Sequence, residues 1–238
     1  MANTPESAIL PGMDQRFTAA SLTPTLPLQI AERIGASIVE EQFRPGERLK
    51  EVELALAFGV SRATIREALR LLEMRGLVSI LPQRGARVTE LSKKELEDLF
   101  EMRAALLGLA SGRVAGRLDL AGARELKAGL KALEQARDDA AAYARASTAM
   151  VETICRLSGN VQLAGYVAEL ALRFARYARL GLASPARREQ SLATWRKLVR
   201  AIFGRDTPRA EAIHRDLALT NLAAGLAEIE RRERGKRG

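Results

Sequence analysis

Three arginines recur at four-residue intervals in the segment SRATIREALR, at Arg62, Arg66 and Arg70. In a helix this interval places the three guanidinium groups on one face, one turn apart. A guanidinium group donates paired hydrogen bonds to a guanine edge or to a phosphate. Ser61 occupies an N-cap position and, together with Thr64, can donate to phosphate oxygens where the helix dipole favours anions. The segment therefore predicts a helix that contacts DNA.

A hairpin pattern follows this segment and extends the same surface. The stretches LVSIL and ARVT flank Pro82–Gly85, which predicts two short strands joined by a turn with Arg84 and Gly85 at its tip. Gly85 has no side chain to keep the backbone away from a minor groove. Two alternatives stay open: Gly85 is only a turn glycine, and Ser61 only caps its helix.

The charge that supports this interpretation is local. Residues 62–87 carry six arginines and two glutamates, whereas residues 1–91 as a whole carry 11 basic and 11 acidic side chains. The formal net charge of +9 therefore comes entirely from residues 92–238. A row of arginines is also common on a solvated helix face, but here a helix cap, a glycine turn and a basic hairpin accompany it.

Three helices are expected to hold these residues in place. Apolar residues that recur every four positions predict a first helix over residues 27–41, and a Pro-Gly turn separates it from a short helix over residues 50–58. The short helix buries some combination of its apolar residues Val52, Leu54 and Leu56. Gly59 permits the next turn, and a third helix is expected over residues 62–75.

From residue 92 onwards the sequence shows only helical periodicity. Ser92–Glu95 forms a capping box, and Ser or Thr before Pro marks two later helix starts. Six helices are expected, over residues 93–117, 120–136, 138–157, 161–180, 185–203 and 208–232. The predicted fold class is mainly α, with an N-terminal winged helix-turn-helix of three helices plus a β-hairpin wing and a C-terminal all-α helical bundle.

The composition limits the classes of function. The chain has 238 residues, enough for two domains, and only 4% of them are aromatic, so the cores must be aliphatic. The sequence contains neither an apolar run of membrane-spanning length nor a leader pattern, and we expect a cytoplasmic protein without membrane contact. It also lacks a phosphate-binding loop and a nucleophile elbow, and Cys155 and His214 each stand alone in their residue type. We expect no enzymatic activity and no cofactor.

The segment PGERLKEVELALAFGVSRATIREALRLLEMRGLV, followed by QRGARV, closely resembles the N-terminal domain of the GntR family of bacterial transcription regulators. The resemblance covers residues 28–91 and includes the turn, the cap, the arginine pair and the wing glycine. It implies sequence-specific binding of a double-stranded DNA operator. Val52 departs from members that carry arginine at this position. We divide the chain into a flexible arm (1–26), a DNA-binding domain (27–91) and a C-terminal domain (92–238).

Residues 92–238 resemble the effector-binding domain of the FadR-type (FCD) branch of that family. The resemblance rests on EMRAAL around Arg103, SGN at residues 158–160 and AIFGRD at residues 201–206, and it implies dimerisation and effector binding by this domain. Many such domains hold a divalent metal with one Asp and three His. The matching positions here are Ser147, Val151, Trp195 and Leu217. Because a lone hydroxyl is too weak a ligand, we expect no metal site. In the same register, His214 lies off the ligand face.

The resemblance and the residue types together predict a small organic acid or an acyl compound as effector. The expected effector-binding residues are Arg103, Val151, Asn160, Trp195 and Leu217. Arg103 matches a family arginine that faces the effector, and the apolar residues would form a floor that buries hydrocarbon. Two alternatives stay open: Arg103 lies on the surface, and Trp195 fills the cavity so that no effector site remains.

The sequence therefore predicts a homodimeric transcription regulator that binds a two-fold symmetric operator. Repression is expected rather than activation, because it is the family's habit. An alternative is a DNA-binding architectural or effector-independent protein whose C-terminal domain serves only dimerisation. A high ratio of specific to nonspecific affinity would distinguish a regulator from an architectural protein.

Overall fold

The computed structural model describes residues 24–235, apart from the side chains of residues 172, 174, 232 and 233. Most of the arm expected over residues 1–26 lies outside this range. The elements in chain order are α1 (Leu26–Val39), β1 (Arg48–Leu49), α2 (Glu51–Phe58), α3 (Arg62–Met74), β2 (Val78–Leu81), β3 (Gly85–Val88), α4 (Lys93–Arg117), α5 (Leu120–Gln135), α6 (Ala140–Leu157), α7 (Val161–Gly181), α8 (Pro185–Phe203) and α9 (Thr207–Gly235). The predicted mainly α fold is confirmed.

The N-terminal core forms where α1 packs on α3. Both helices carry an apolar stripe with helical spacing, and these stripes are almost completely buried. The stripe residues are Ile30, Ile34 and Ile38 on α1 and Ile65, Leu69 and Leu72 on α3. Burial of one face of α3 leaves its arginine face pointing outward.

The short helix α2 has only eight residues and buries a single narrow stripe. Leu54 and Ala55 lie in the core, whereas Val52 and Leu56 are 51% and 78% exposed. Of the three apolar residues expected to share the core, only Leu54 is therefore buried. Gly59 follows α2 with φ of 66°, a left-handed conformation that glycine adopts without strain.

The wing is the hairpin formed by β2 and β3, and it is closed by the pair Leu81 and Gly85. A third strand, β1, pairs with the other edge of β3, so the sheet order is β1-β3-β2. No sequence pattern predicts β1, because a two-residue strand has no periodicity of its own. Its pairing with β3, almost forty residues later, creates it.

The C-terminal domain is a helical bundle in which α4 packs against α9, α6, α8 and α7. Its start is fixed by the predicted capping box, in which Ser92 Oγ accepts from Glu95 N at 3.2 Å and Glu95 Oε2 accepts from Ser92 N at 2.8 Å. Helix α6 begins at Ala140 rather than at residue 138, because Asp139 caps it by accepting from Ala141 N. No helix within residues 24–235 is long and apolar enough to cross a bilayer.

Candidate nucleic-acid interface and ligand cavity

The first turns of α3 form an exposed cationic surface. The side chains of Arg62 and Arg66 are 58% and 54% exposed, and Arg70 is exposed one turn further on. Ser61 Oγ accepts from Thr64 N at 3.1 Å and so caps the helix. Arg62 and Arg66 lie in the first turns of α3, where the helix dipole adds partial positive charge, and this combination suits a phosphate or a base edge.

Glu51, the first residue of α2, ties two of these arginines together. Its Oε2 atom accepts from Arg66 Nε at 2.8 Å and lies 3.5 Å from Arg62 Nη2. This contact leaves the two terminal nitrogens of Arg66, the ones used for paired bonding to a base, outside the Glu51 bond. Sequence reasoning missed Glu51, because the contact joins two helices and the residue shows no local signal.

The wing tip carries Arg84 and Gly85, and both stay outside the domain core. Gly85 has φ of 77°, and a side-chain carbon at this position would lie 3.7 Å from Arg48 Nε. Arg48, an exposed residue of β1, therefore adds a cation beside the wing that sequence reasoning did not identify. Arg87 is half-buried, and its Nη1 donates to the Gly46 carbonyl at 2.8 Å. Its role is to hold the base of the wing.

A cavity of about 660 Å³ lies inside the C-terminal bundle. Four of the five residues expected to bind an effector line it, namely Arg103, Val151, Trp195 and Leu217. The cavity is open although Trp195 stands in its wall, so the indole does not fill it. Asn160 does not line it: its side chain accepts from Leu163 N at 3.1 Å and caps α7.

The four positions at which relatives carry metal ligands converge on this cavity. Ser147, Val151, Trp195 and Leu217 all belong to its wall, as the resemblance implied. They offer one hydroxyl, two aliphatic groups and an indole, which is not a ligand set for a divalent ion. Within residues 24–235, no three His, Cys, Asp or Glu side chains lie together in a way that could hold a metal. The residues present do not fit the metal of the family.

His214 is the main difference from the sequence expectation. It lies in the cavity wall rather than off it, 1% exposed, with its ring centroid 5.3 Å from that of Trp195 in an edge-on contact. Nδ1 of His214 is 2.6 Å from Ser111 Oγ on α4. Burial, reinforced by the positive charge of Arg103, lowers the pKa of His214 to about 3. The imidazole is therefore neutral at physiological pH.

Arg103 and Cys155 are two further ionisable groups near the cavity; Arg103 is half-buried and Cys155 is buried. Burial lowers the pKa of Arg103 to about 10, so the guanidinium keeps its charge at neutral pH. Burial raises the pKa of the Cys155 thiol to about 11, so it stays protonated and a poor nucleophile. Cys155 lines a neighbouring space of about 480 Å³ that shares Arg103 and Val151 with the first cavity.

The cavity also reaches the N-terminal domain. Val39, Glu40 and Gln42, at and just after the end of α1, form part of its wall. Next to them, Arg176 on α7 donates from Nε to Glu41 Oε1 at 3.3 Å. A single space therefore touches both the bundle and the helix that packs on α3.

These features define the protein as a DNA-binding transcription regulator built from a winged helix-turn-helix and a helical C-terminal domain. Residues 26–88 match the profile of bacterial regulatory proteins of the gntR family, and residues 98–219 match that of the FCD domain. The chain belongs to the GntR family of bacterial transcription regulators, in the branch that carries an FCD domain.

Individual relatives agree with this family. An uncharacterized HTH-type transcriptional regulator of Bacillus subtilis, YdhC, is 41% identical over 83 residues, which are 35% of this chain and 37% of that protein. A probable D-xylose utilization operon transcriptional repressor of Paenarthrobacter nicotinovorans is 30% identical over 141 residues, 58% of this chain and 62% of that protein. In both cases the chain covers less than two thirds of the relative.

Two further matches extend over most of the chain. An uncharacterized HTH-type transcriptional regulator in an unstable DNA locus of Streptomyces ambofaciens is 30% identical over 190 residues, 80% of this chain and 79% of that protein. The solved structure of Escherichia coli McbR/YncC superposes with a TM-score of 0.73 at 21% identity and covers 87% of this chain and 100% of that one. At this identity the structural match supports the fold alone.

Proposed function

We propose that this protein is a homodimeric repressor that binds a two-fold symmetric DNA operator through α3 and the wing. The observation that carries the proposal is the exposed arginine row of α3, set on a capped helix N-terminus beside a cationic wing tip. Arg62, Arg66 and Arg70 would contact bases and phosphates of the major groove, and Ser61 and Thr64 would contact phosphates. Arg84 and Gly85, with Arg48 beside them, would approach the adjacent minor groove.

We also propose a division of roles between two domains. Residues 27–91 would act as the DNA-binding unit, and residues 92–238 would provide the dimer contact and the effector site. A dimer is expected because one winged domain offers a small interface, whereas two domains related by a two-fold axis read two half-sites. Such a protein would work in the cytoplasm, where its operator is accessible.

A small organic acid is the effector that the cavity supports best. Three arginines, Arg103, Arg145 and Arg179, and two glutamates, Glu40 and Glu152, line the space, which favours an anion. The apolar wall suits a hydrocarbon body, and the volume lies in the usual range for small-molecule sites. Ligand binding would change the affinity for the operator through the part of the wall formed by the end of α1.

Repression, rather than activation, is supported by the name of the Paenarthrobacter relative. The rival function is a DNA-binding architectural or effector-independent regulator whose C-terminal domain serves only dimerisation, and the cavity in that domain argues against it. The two functions differ in a measurable way, because an architectural protein has almost no preference for sequence whereas a regulator has a large one.

The decisive experiment selects bound fragments from genomic DNA and then maps the protected bases by footprinting. We expect a palindromic site, protected by a dimer, with a specific affinity at least about a thousandfold above that for random DNA of the same length. Equal affinity for selected and random fragments would contradict the proposal. Protection of one asymmetric half-site by a monomer would contradict the dimeric part of it.

A further inference from the structure

Two buried polar atoms belong to residues of the cavity wall and have no hydrogen-bond partner within residues 24–235. Trp195 and His214 are each 1% exposed, and both line the cavity. Among the residues that the structure describes, neither Nε1 of Trp195 nor Nε2 of His214 has a hydrogen-bond partner. The great majority of buried polar groups in proteins have a hydrogen-bond partner. Two buried polar atoms without one, on residues that line an open cavity, point to a bound molecule that forms hydrogen bonds with them.

The surroundings of His214 show what its unpaired nitrogen can do. The ring forms a hydrogen bond with the Leu107 carbonyl, and Nδ1 is the nitrogen that faces α4, 2.6 Å from Ser111 Oγ. A carbonyl oxygen can only accept, so Nδ1 carries the proton of the neutral ring. Nε2 is then a hydrogen-bond acceptor, whereas Nε1 of Trp195 is a donor. A ligand that pairs both atoms must therefore donate one hydrogen bond and accept another.

The positive charge of Arg103 favours a hydroxyl group over an ammonium group as the ligand's donor to Nε2 of His214. Arg103 lies close enough to His214 for its positive charge to disfavour protonation of the imidazole. The same charge disfavours a ligand ammonium group at Nε2 and leaves a neutral hydroxyl as the better donor. The ligand's acceptor, beside the Trp195 N–H and the Arg103 cation, is best supplied by a carboxylate.

We propose that the cavity recognises a hydroxycarboxylic acid, whose hydroxyl donates to Nε2 of His214 and whose carboxylate accepts from Nε1 of Trp195 and faces Arg103. This inference rests on the proposed effector role of the cavity and names the chemical class of the effector. It also replaces the apolar floor expected from the sequence with a floor that carries one donor and one acceptor. Phe100, Leu107 and Val151 in the wall remain available to the hydrocarbon part of the ligand.

The test compares acids that differ only by the hydroxyl group. Isothermal titration of the full chain would use three pairs: mandelate with phenylacetate, 3-phenyllactate with 3-phenylpropionate, and 2-hydroxyoctanoate with octanoate. We expect at least one hydroxy acid to bind about tenfold or more tightly than its partner, because the partner leaves Nε2 buried without a hydrogen bond. The inference is wrong if all pairs bind equally, if the acids without hydroxyl bind better, or if no hydroxy acid binds.

Two substitutions of His214 separate recognition from structural support. His214→Asn keeps an amide near the position of Nδ1 and leaves nothing at Nε2, whereas His214→Gln keeps a polar group near Nε2. We expect His214→Asn to remove the preference for the hydroxy acid and His214→Gln to retain part of it. A purely structural role would weaken both members of a pair equally, and that result would overturn the inference. If His214→Asn fails to fold, the wild-type pairs and Trp195→Phe decide.

The expected result for Trp195→Phe differs. Loss of the indole N–H should weaken both members of a pair about equally, since the carboxylate is common to them. Unchanged affinity for both acids would contradict the role of Nε1.

The proposed function can be judged separately, because release of operator DNA by an acid without a hydroxyl would refute the hydroxy-acid inference and leave effector control intact. Failure to bind any specific DNA would refute the proposed function instead.

Discussion

The exposed arginine surface of α3 and the cavity of the C-terminal bundle differ in how the sequence encodes them. The side chains of the first surface are close in sequence, at four-residue spacing on one short helix that needs only its own cap and its apolar stripe. The cavity takes its walls from five helices of the bundle and from the end of α1. Local periodicity therefore identifies the first site, whereas the second depends on how distant helices pack.

The same comparison separates two uses of charge. Arg62 and Arg66 are more than half exposed and share a carboxylate on the surface, where water screens the interaction. Arg103 and His214 lie inside the bundle, where burial shifts both pKa values downward and makes one group neutral. Surface arginines are suited to a large anion that arrives from solvent, and the interior pair is suited to a small ligand that leaves solvent behind.

The largest expected effect distinguishes the two regions directly. Replacing Arg66 by Ala should reduce the free energy of specific operator binding by about 1–3 kcal/mol, because a bidentate base contact is lost. Binding of acids to the cavity should not change. Fluorescence anisotropy with selected and random DNA gives the first quantity, and titration calorimetry gives the second. Arg124→Ala, at an exposed position on α5, is the matched control. Wild-type sequence preference in Arg66→Ala would show that α3 is not the reading helix.

The second prediction concerns the buried imidazole of His214. Its pKa is near 6.5 in the unfolded chain and about 3 in the folded one, so only the unfolded state binds the proton between these values. Its contribution to stability is fully present above pH 6.5 and is lost as the pH falls towards 3. Between pH 6.5 and 4.5 this loss amounts to about 2 kcal/mol of unfolding free energy.

Urea denaturation of the wild type and of His214→Asn at both pH values measures this loss. The variant should lose less stability than the wild type over the interval, and the difference isolates the imidazole from the carboxylates common to both proteins. Parallel pH dependence in the two proteins would show that the imidazole is accessible to protons in the folded state.

Alanine substitutions at two glycines, one in each domain, should change stability by smaller amounts and with opposite signs. Gly59 has φ of +66° and Gly165 lies inside α7, and a side-chain carbon at either position would meet nothing within 4 Å. Gly59→Ala should cost about 1 kcal/mol through backbone strain. Gly165→Ala should stabilise the bundle by about 0.5–1 kcal/mol through lower entropy of the unfolded chain. Thermal melting monitored by circular dichroism checks both changes. Equal shifts in the same direction would contradict the conformational argument.

The smallest expected effect concerns the carboxylate that joins the α3 arginines. Glu51→Gln removes a negative charge beside Arg62 and Arg66 and should raise affinity for random DNA by roughly twofold to fivefold, under about 1 kcal/mol, since exposed ion pairs are weak. Discrimination between operator and random DNA should fall, because the neutral amide oxygen of glutamine orients Arg66 less firmly than the carboxylate does. Improved discrimination would instead show that Glu51 competes with the operator for Arg66.

The parts of the structure that sequence reasoning anticipated depend on local physics. Helix starts followed from caps such as Ser61 and Ser92, which bond to backbone groups three residues away. The arginine row followed from helical spacing. Convergence of Ser147, Val151, Trp195 and Leu217 on one cavity came from the family resemblance, since no local pattern in the chain connects residues seventy positions apart.

The parts that it missed depend on contacts between distant segments. Strand β1 exists only because β3 pairs with it. Glu51 contacts Arg66, and Arg48 lies beside Gly85, although both residues belong to other elements of the chain. His214 was placed off the cavity because it is three residues from the family ligand position. In a helix that spacing keeps two residues on the same side, so His214 and Leu217 both reach the cavity. Asn160 belonged to a recognisable motif but serves as a cap.

Part of the cavity wall, at the end of α1, belongs to the DNA-binding domain. The ligand response should therefore depend on the number of operator copies in the cell. Suppose that the ligand binds more tightly to one of two positions of Val39, Glu40 and Gln42. The factor by which the ligand lowers the affinity for the operator then equals the factor by which the operator lowers the affinity for the ligand. Each bound operator would then make the protein on it harder to saturate with ligand. A cell with more copies of the operator would need a higher ligand concentration for half-release, so the threshold of the response would depend on the number of sites the protein occupies.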